Sequence, residues 1–269
     1  MTAEAMTPDR GRYRVAIIGA GFGGLGMAYY LKQAGIDDFV LLEKAQDVGG
    51  TWRENTYPGA ACDVPSHLYS FSFENHYPWS SRYAPQPEIL GYMRHCADKF
   101  RLRSHIRFGA EVAQARYDES DVCWRLSLGD GSTIEADHVV SAVGQLHRPS
   151  IPAIPGLETF QGRYFHSATW DHDHDLAGQR VAAIGTGASA IQFVPAIAPK
   201  VAKLHVFQRS PGWVIPKFDR VFSGTEQWLF RRFPVLHDVD RFRIKCLTET
   251  LARAYAGNRW IEGTVSALS

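Results

Sequence analysis

Two glycine-rich loops constrain the fold of this chain more than any other feature. The first, Gly19-Ala-Gly-Phe-Gly-Gly24, follows the apolar run 15–18 and precedes a helical pattern over 25–35. Glycine at this spacing allows a tight turn and lets a pyrophosphate approach the backbone at a helix N-terminus. The apolar run 39–42 ends in an acid, which suits a ribose hydroxyl pair and repels a 2′-phosphate. The pattern predicts a site for FAD or NAD, with contacts from Gly19, Gly21, Phe22, Gly24 and Glu43.

The second loop, Gly185-Thr-Gly-Ala-Ser-Ala190, lies between a strand pattern over 179–184 and a helical pattern over 191–198. Arg209 lies 24 residues after Gly185, just as Glu43 lies 24 residues after Gly19, so the count gives one topological position opposite charges. A guanidinium suits the 2′-phosphate of NADP, although an arginine at a strand end is ordinarily a solvated surface charge. The predicted NADP contacts are Gly185, Thr186, Gly187, Ala188, Ser189, Ala190, Gln208, Arg209 and Ser210.

Composition and charge exclude several classes of partner. Basic and acidic residues number 29 and 28, so no broad basic field is available to hold nucleic acid. The four cysteines form no Cys-x-x-Cys pair and no zinc-type spacing with histidines, which favours a reducing compartment and no metal. No apolar run reaches the roughly 18 residues of a membrane span, and no signal-peptide pattern begins the chain. We expect a cytoplasmic protein that acts on small molecules.

The remaining pattern predicts an α/β protein with two Rossmann-like dinucleotide-binding domains and a C-terminal helical segment. A β meander with a turn at Asp130-Gly131 is predicted in the first domain, and the proline-rich stretch 147–155 marks the crossing to the second. The other predicted elements are strands 106–108, 111–113, 123–128, 133–134, 139–145 and 204–207 and helices 89–100, 225–232 and 240–255. The predicted division is a flexible N-terminus 1–12, an FAD-binding domain 13–148, a partial NADP-binding domain 149–217 and a helical end 218–269.

Two further motifs resemble one enzyme family. The pattern Phe-x-Gly-x-x-x-His-x-x-x-Trp-Asp lies between the two loops, and Gly-x-Trp-x-x-x-x-Tyr-Pro-Gly-x-x-x-Asp follows the first. Both resemble motifs of the Baeyer-Villiger monooxygenases, a branch of the class B flavoprotein monooxygenases. The matching residues are Phe160, Gly162, His166, Trp170 and Asp171 in the first motif and Gly50, Trp52, Tyr57, Pro58, Gly59 and Asp63 in the second.

The resemblance implies FAD, NADPH and dioxygen, with a C4a-peroxyflavin that attacks a ketone to give an ester or lactone. It implies that Asp63 is an acid beside the flavin and nicotinamide, and that His166 and Trp170 lie on a hinge between domains rather than reacting. Further cofactor contacts are expected from Gly50, Thr51, Trp52, Tyr69 and Val112. On the residues alone, an aspartate in such a loop is more often a turn or cap residue, and only the matched motif favours a functional role for Asp63.

The resemblance covers roughly residues 13–216, and members of that family are considerably longer. We therefore expect a C-terminally truncated chain whose activity on its own is doubtful. Two alternatives remain open. One is an N- or S-oxygenating flavin monooxygenase, acting on an amine or sulfide, which shares both nucleotide loops. The other is a non-catalytic nucleotide-binding fragment, which would bind FAD or NADPH without forming product.

Overall fold

The computed structural model describes residues 11–210 and 217–255. Nearly all of the predicted N-terminal segment 1–12 and the last residues of the predicted helical end 218–269 lie outside these ranges. The strands are, in chain order, β1 (Arg12–Ile18), β2 (Phe39–Glu43), β3 (Ile106–Phe108), β4 (Val112–Asp118), β5 (Cys123–Leu128), β6 (Thr133–Ser141), β7 (Arg180–Ile184) and β8 (Lys203–Phe207). The α-helices are α1 (Phe22–Gln33), α2 (Thr51–Glu54), α3 (Gln86–Lys99), α4 (Ala190–Ile197), α5 (Gly224–Arg232) and α6 (Pro234–Tyr255).

The chain divides into two compact units, each assembled from separate stretches. Among the described residues, the first contains 11–57 and 89–172, and the second contains 58–88, 173–210 and 217–255. The segment 58–88 therefore groups with the second glycine loop, although it precedes the β meander in sequence. The predicted assignment of each nucleotide to a domain stays a prediction.

The first unit is built on a six-stranded sheet with the order β3-β2-β1-β6-β5-β4. Strands β3, β2, β1 and β6 pair in parallel, whereas β6, β5 and β4 pair antiparallel as the predicted meander. All five residues of β2 are buried, as expected for a strand inside a parallel sheet. One core cluster consists of Tyr13, Ala16, Val40, Leu42, Ala110, Leu126, Leu128, Ile134 and Ala136.

The prediction of two separate strands at 133–134 and 139–145 is wrong. Residues 133–141 form one strand, β6, which pairs antiparallel with β5 at its start and parallel with β1 over most of its length. The polar residues at 137 and 138 lie on its partly exposed positions, which made the strand look interrupted. Residues 139–145 are half-buried or exposed, and the strand ends at Ser141 rather than at 145.

The helix predictions of the first unit are close at their cores and differ at their ends. Helix α1 begins at Phe22 rather than Leu25, so it starts inside the glycine loop. Helix α3 begins at Gln86 rather than Ile89, and its residues Ile89, Tyr92 and Met93 are fully buried. Strand β4 extends to Asp118, well beyond the predicted 113, because its exposed residues carry no clear alternation.

The second unit repeats the strand-loop-helix-strand order on a smaller scale. Strands β7 and β8 pair in parallel from Arg180↔Lys203 to Ile184↔Phe207. Helix α4 connects them, and Ala190 and Ile197 are its buried residues. Much of this small sheet is exposed, including Ile184, Val206 and Phe207.

Helices α5 and α6 close the described chain in the second unit. Ser223 and Glu226 form a capping box at the start of α5. Helix α6 begins at Pro234, six positions before the predicted 240, because proline is well suited to the first turn of a helix. Within the described residues, no helix is long and apolar enough to cross a membrane.

Candidate functional site

The first glycine loop makes a tight turn between β1 and α1. Gly19 has φ +102°, and a Cβ there would lie 2.7 Å from the carbonyl oxygen of Ala142. A Cβ on Gly24 would overlap the carbonyl oxygen of Gly19, so the helix can approach the turn only without a side chain. Beside Gly21 the described atoms leave space, with only the Gly50 Cα near, at 3.9 Å. The loop therefore presents bare backbone at the N-terminus of α1, which is the geometry that a pyrophosphate needs.

Glu43 lies at the end of β2 and is only 5% exposed. Its Oε2 accepts a hydrogen bond from the backbone N–H of Ala20 at 2.8 Å, and its Oε1 accepts one from the N–H of Ala45 at 3.0 Å. The Arg53 guanidinium lies 3.9 Å from Oε1. The carboxylate thus holds the glycine loop in place, and it keeps lone pairs for ligand hydroxyls because a carboxylate has about four acceptor sites.

Residues 49–57 run beside the first loop within the same unit. Gly50, with φ +50°, precedes the short helix α2, which carries Thr51 and Trp52 half-buried. The Glu54 carboxylate pairs with His147 at 3.0 Å, and the Thr56 hydroxyl lies 2.7 Å from the His172 ring nitrogen. These contacts attach the segment to both ends of the stretch 147–172, which contains the predicted hinge motif.

The motif 160–171 folds onto itself. His166 Nδ1 accepts a hydrogen bond from the N–H of Ala168 at 3.1 Å and caps a short 3-10 turn, Ser167–Thr169. Arg163 Nε donates to the Asp171 carboxylate at 2.8 Å. The rings of Phe165 and Trp170 pack edge to face at 5.2 Å. His166 therefore acts locally as a hydrogen-bonding support, while its predicted hinge role stays a prediction.

Phe160 and Gly162 complete this motif. A Cβ on Gly162 would overlap the ring of Phe160, so glycine allows the ring to fold back over the chain. Phe160 is nevertheless 57% exposed, which leaves most of its ring on the surface of the unit.

The second glycine loop reproduces the strand-end contact of the first. The Gly185 N–H donates to the carbonyl of Phe207 at 2.8 Å, just as the Gly19 N–H donates to that of Leu42 at 2.8 Å. Gly185 has φ +97°, and no described heavy atom lies within 4 Å of a Cβ placed at Gly187. Ala190 takes the place that Gly24 holds in the first loop and is buried. This loop also leaves room at its middle glycine.

The strand register corrects the comparison of Glu43 with Arg209. Ile18 pairs with Leu42 and Ile184 pairs with Phe207, so the segment between the paired residues is one residue shorter in the second unit. The counterpart of Glu43 is therefore Gln208, and Arg209 lies one residue further along. The equal spacing of 24 residues does not reflect an equal position. Arg209 is exposed just past the strand end, and Gln208 Nε2 donates to the Ser210 carbonyl at 3.0 Å.

The segment carrying Asp63 is attached to α4. Gln192 on that helix donates from Nε2 to the Ala61 carbonyl at 3.0 Å and accepts from the Ala61 N–H at 3.1 Å. Gly59 has φ +80°, and a Cβ there would lie 2.8 Å from the Gln192 carbonyl oxygen. Asp63 itself is exposed. Sequence reasoning missed Gln192, because no local pattern connects a helix residue with a loop far away in sequence.

The other predicted contacts lie in varied surroundings. Tyr69 is half-buried in the second unit, where its N–H donates to the Pro65 carbonyl at 2.9 Å. Val112 starts β4 in the first unit and packs against the core cluster. Burial raises the pKa of the thiol of Cys62, the residue before Asp63, to about 11, so this cysteine is protonated and unreactive at neutral pH.

Comparison with known proteins identifies the family of this chain. The sequence model of the family described as flavin-binding monooxygenase-like matches residues 12–249. The chain belongs to the flavin-binding monooxygenase-like family. A Baeyer-Villiger monooxygenase of Streptomyces coelicolor is 54% identical over 242 residues, which are 90% of this chain and 46% of that protein. The chain therefore spans about half the length of this relative.

Solved structures of flavin-binding monooxygenases match the fold as well. Cyclohexanone monooxygenase from Rhodococcus sp. Phi1 bound to NADP+ aligns with a TM-score of 0.75 and 40% identity, over 82% of this chain and 42% of that chain. OTEMO in complex with FAD and NADP aligns with a TM-score of 0.76 and 35% identity, over 84% of this chain and 44% of that chain. The fold predicted from the sequence, an α/β chain with Rossmann-type units and C-terminal helices, is confirmed.

Proposed function

We propose that this chain forms the nucleotide-binding part of a monooxygenase that uses FAD, NADPH and dioxygen to convert a ketone into an ester or lactone. The observation that carries the proposal is the pair of open glycine loops with different neighbours. A buried carboxylate supports the first, and an exposed guanidinium follows the strand beside the second. The similarity to the Streptomyces coelicolor Baeyer-Villiger monooxygenase and to OTEMO, which was solved in complex with FAD and NADP, supports it. The proposed activity is that of the longer relatives, about half of whose length this chain spans.

FAD is assigned to the first loop on the fit of the residues. The space beside Gly21, which a side chain would fill, faces the N-terminus of α1, where backbone N–H groups suit a pyrophosphate. Glu43 retains acceptor sites for the ribose hydroxyls. Bound FAD would supply the redox and dioxygen chemistry, which no amino-acid side chain provides. We retain Gly50, Thr51, Trp52 and Val112 as proposed contacts of the same cofactor.

NADPH is assigned to the second loop. The space at Gly187 suits a second pyrophosphate at the N-terminus of α4. Gln208 replaces the acid of the first unit, so nothing at that position repels a 2′-phosphate. Arg209 lies one residue further, and a 2′-phosphate projects beyond the oxygen that carries it. The exposed guanidinium can therefore form a charge-assisted pair with that phosphate.

Asp63 and His166 receive different roles in this proposal. Asp63 places an exposed carboxylate in a loop that α4 holds, and there it would tune the charge around the reduced nicotinamide. His166 uses Nδ1 to cap its own turn, so it positions the motif rather than transferring a proton. Tyr69 remains a proposed cofactor contact in the second unit.

The test compares Arg209→Gln with Arg180→Gln. Arg180 is an exposed arginine at the start of β7, whereas Arg209 follows the end of the parallel strand β8. We expect FAD to give a visible flavin spectrum with all three proteins. We expect Arg209→Gln to weaken NADPH binding about tenfold or more, because hydrogen bonds to charged groups contribute about 1.5–3 kcal/mol. NADH binding should not change. Titration of each nucleotide, followed by fluorescence, measures both effects.

Equal affinity for NADPH in both variants would contradict the assignment of the second loop. A colourless chain that cannot be reconstituted with FAD would contradict that of the first. For the reaction, a panel of ketones is compared with amines and sulfides, with NADPH consumption and product measured together. Product from amines but not ketones would identify the N-oxygenating alternative, and nucleotide binding without NADPH consumption would identify a non-catalytic fragment.

A further inference from the structure

His237 lies in the first turn of α6 and is only 2% exposed. Among the described residues, neither of its ring nitrogens has a hydrogen-bond partner. A buried polar group without a partner is unfavourable, and such groups in native proteins usually bind a water or an ion. This histidine therefore points to a missing ligand.

Two other metal-type side chains lie beside it. His76 comes from the loop before α3, and Asp238 follows His237 on α6. One ligand atom from each of the three residues lies within 4.8 Å of the others. His76 Nε2 is 3.1 Å from the Asp238 carboxylate, and the ring of His76 stands edge-on to that of His237 at 5.3 Å. The three groups thus converge on one small volume of the second unit.

A second layer of contacts orients these groups. Asn75 Nδ2 donates to Asp238 Oδ1 at 2.8 Å, which holds the carboxylate. The His67 ring packs against that of His237 at 4.0 Å, and His67 Nδ1 lies 2.8 Å from the Asp240 carboxylate. Outer contacts of this kind are common around metal ligands, because they fix ring orientation.

We propose that His76, His237 and Asp238 bind a divalent transition-metal ion of the zinc class, with the fourth position open to water. Two imidazoles and one carboxylate form a ligand set that zinc accepts, and three protein ligands with an open position are common for this ion. Tetrahedral ligand atoms about 2.1 Å from zinc lie roughly 3.4 Å apart, so side-chain movements of about 1 Å would close the site. Exposed His76 and Asp238 can make those movements.

Charge and protonation are compatible with a cation. A histidine binds a metal ion through the lone pair of a neutral imidazole, and the burial of His237, which is only 2% exposed, favours that neutral form. Arg241 adds positive charge near the site. Its guanidinium donates to the backbone carbonyl of His67 at 2.7 Å, and the dipole of that carbonyl offsets part of the charge. Asp238 supplies the negative charge that the ion requires.

The competing occupant is a single water molecule. A cavity of about 10 Å³ is lined by His67, His76 and His237 together with other residues, and this is about the room that one water requires. A water would satisfy one nitrogen of His237 without involving Asp238. The two occupants therefore differ in their dependence on Asp238.

A metal here would clip the loop around His76 to the start of α6. Local residue spacing predicted no metal, because His76 and His237 lie about 160 residues apart in sequence. The inference is independent of the proposed nucleotide sites, since it concerns other residues.

The experiment uses the whole chain without an affinity tag, freed of metal with a chelator and then dialysed against Zn²⁺. Metal content is measured by mass spectrometry after desalting, and affinity by calorimetric titration. The variants are His76→Ala, Asp238→Asn and the double variant, each at an exposed position. The controls are His138→Ala and Asp219→Asn, which remove an exposed histidine and an exposed carboxylate elsewhere. Co²⁺ serves as a spectroscopic probe of coordination.

We expect one equivalent of Zn²⁺ in the wild type and both controls, and a loss of affinity of about tenfold or more in each ligand variant. Co²⁺ should show the visible absorption of a four- or five-coordinate ion in the wild type and both controls, and not in the ligand variants. Zinc should also raise the melting temperature of the wild type but not of the double variant. Equal zinc content in the wild type and double variant, or full affinity in both single variants, would overturn the proposal and leave water as the partner of His237.

Discussion

The first glycine loop follows a strand that has neighbours on both sides in a six-stranded sheet, whereas the second follows a strand that pairs only with β8 among the described residues. In the first unit every residue of β2 is buried. In the second unit no residue of β8 is buried, and Phe207 is 57% exposed. Both loops still make the same strand-end hydrogen bond at 2.8 Å. The turn therefore depends on local backbone geometry and forms both beside a buried sheet and beside an exposed one.

The two loops also differ in how an acid or its replacement supports them. In the first, the buried Glu43 at the end of β2 accepts from two backbone N–H groups, one of which belongs to the glycine loop. In the second, Gln208 and Arg209 are exposed and available to a ligand. The buried Glu43 would stabilise its loop, whereas the exposed Arg209 would select the nucleotide that its loop binds. Substitutions at matched positions can separate these two contributions.

The largest effect is expected from adding one methyl group to the first loop. Gly24→Ala places a Cβ against the carbonyl of Gly19, and overpacking of this kind costs about 3 kcal/mol. The matched change in the second loop, Ala190→Gly, should cost at most about 1 kcal/mol, because it removes a methyl from the start of a helix. Urea unfolding followed by circular dichroism measures both. Equal losses would show that the two loops do not differ in packing.

A smaller loss is expected for Glu43→Ala. The variant leaves the N–H groups of Ala20 and Ala45 without their carboxylate, which should lower the free energy of unfolding by about 2 kcal/mol. Gln208→Ala removes the exposed counterpart and should change it by less than about 0.5 kcal/mol. Urea unfolding without any nucleotide isolates the structural effect. A stable Glu43→Ala protein that only binds FAD less tightly would show that the acid serves the ligand alone.

The smallest effect concerns how the helices of the two units begin. Helix α1 has no side-chain cap and is held by burial of Gly24, Leu25 and Ala28, whereas α5 has no buried residue and relies on its capping box. Ser223→Ala should therefore cost about 1 kcal/mol. Hydrogen exchange should detect this loss in the first turn of α5, with α1 unchanged as the internal control. Unchanged exchange in α5 would contradict it.

Acid should weaken the same cap. The hydrogen bond from Arg220, followed by the N–H of Ser223, lowers the pKa of Glu226 from 4.5 to about 2. A lowered carboxyl pKa stabilises the fold above the unfolded pKa, and that contribution is lost as the pH falls from about 4.5 towards 2. Protection of the α5 amides, calculated relative to the intrinsic exchange rate at each pH, should therefore fall over this range in the wild type and be less sensitive to pH in Glu226→Gln.

Much of the fold could be predicted because its signals are local. The bounds of β5, 123–128, were predicted to the residue, since alternation and a following turn mark both ends. The strand β6 could not be predicted as one element, because it changes partner along its length and carries polar residues in its middle. Pairing partners are a tertiary property, and a single sequence does not specify them.

The candidate site divides in the same way. Glu43 could be found from its place at a strand end, yet its hydrogen bonds to the loop could not. Counting residues to Arg209 missed the one-residue difference in register, because connection length is set by packing. Gln192 and His237 carried no local signal at all, since their partners in the fold lie far away in sequence.

The amide of Gln192 gives helix α4 a mechanical role. The Gln192 side chain both donates to and accepts from the backbone of Ala61, and Gly59 packs against the same helix. The loop that bears Asp63 is therefore attached to α4 and should follow that helix if it moves. A ligand that tilts this helix would steer the carboxylate with it. Nucleotide binding and the position of the Asp63 carboxylate would then be coupled.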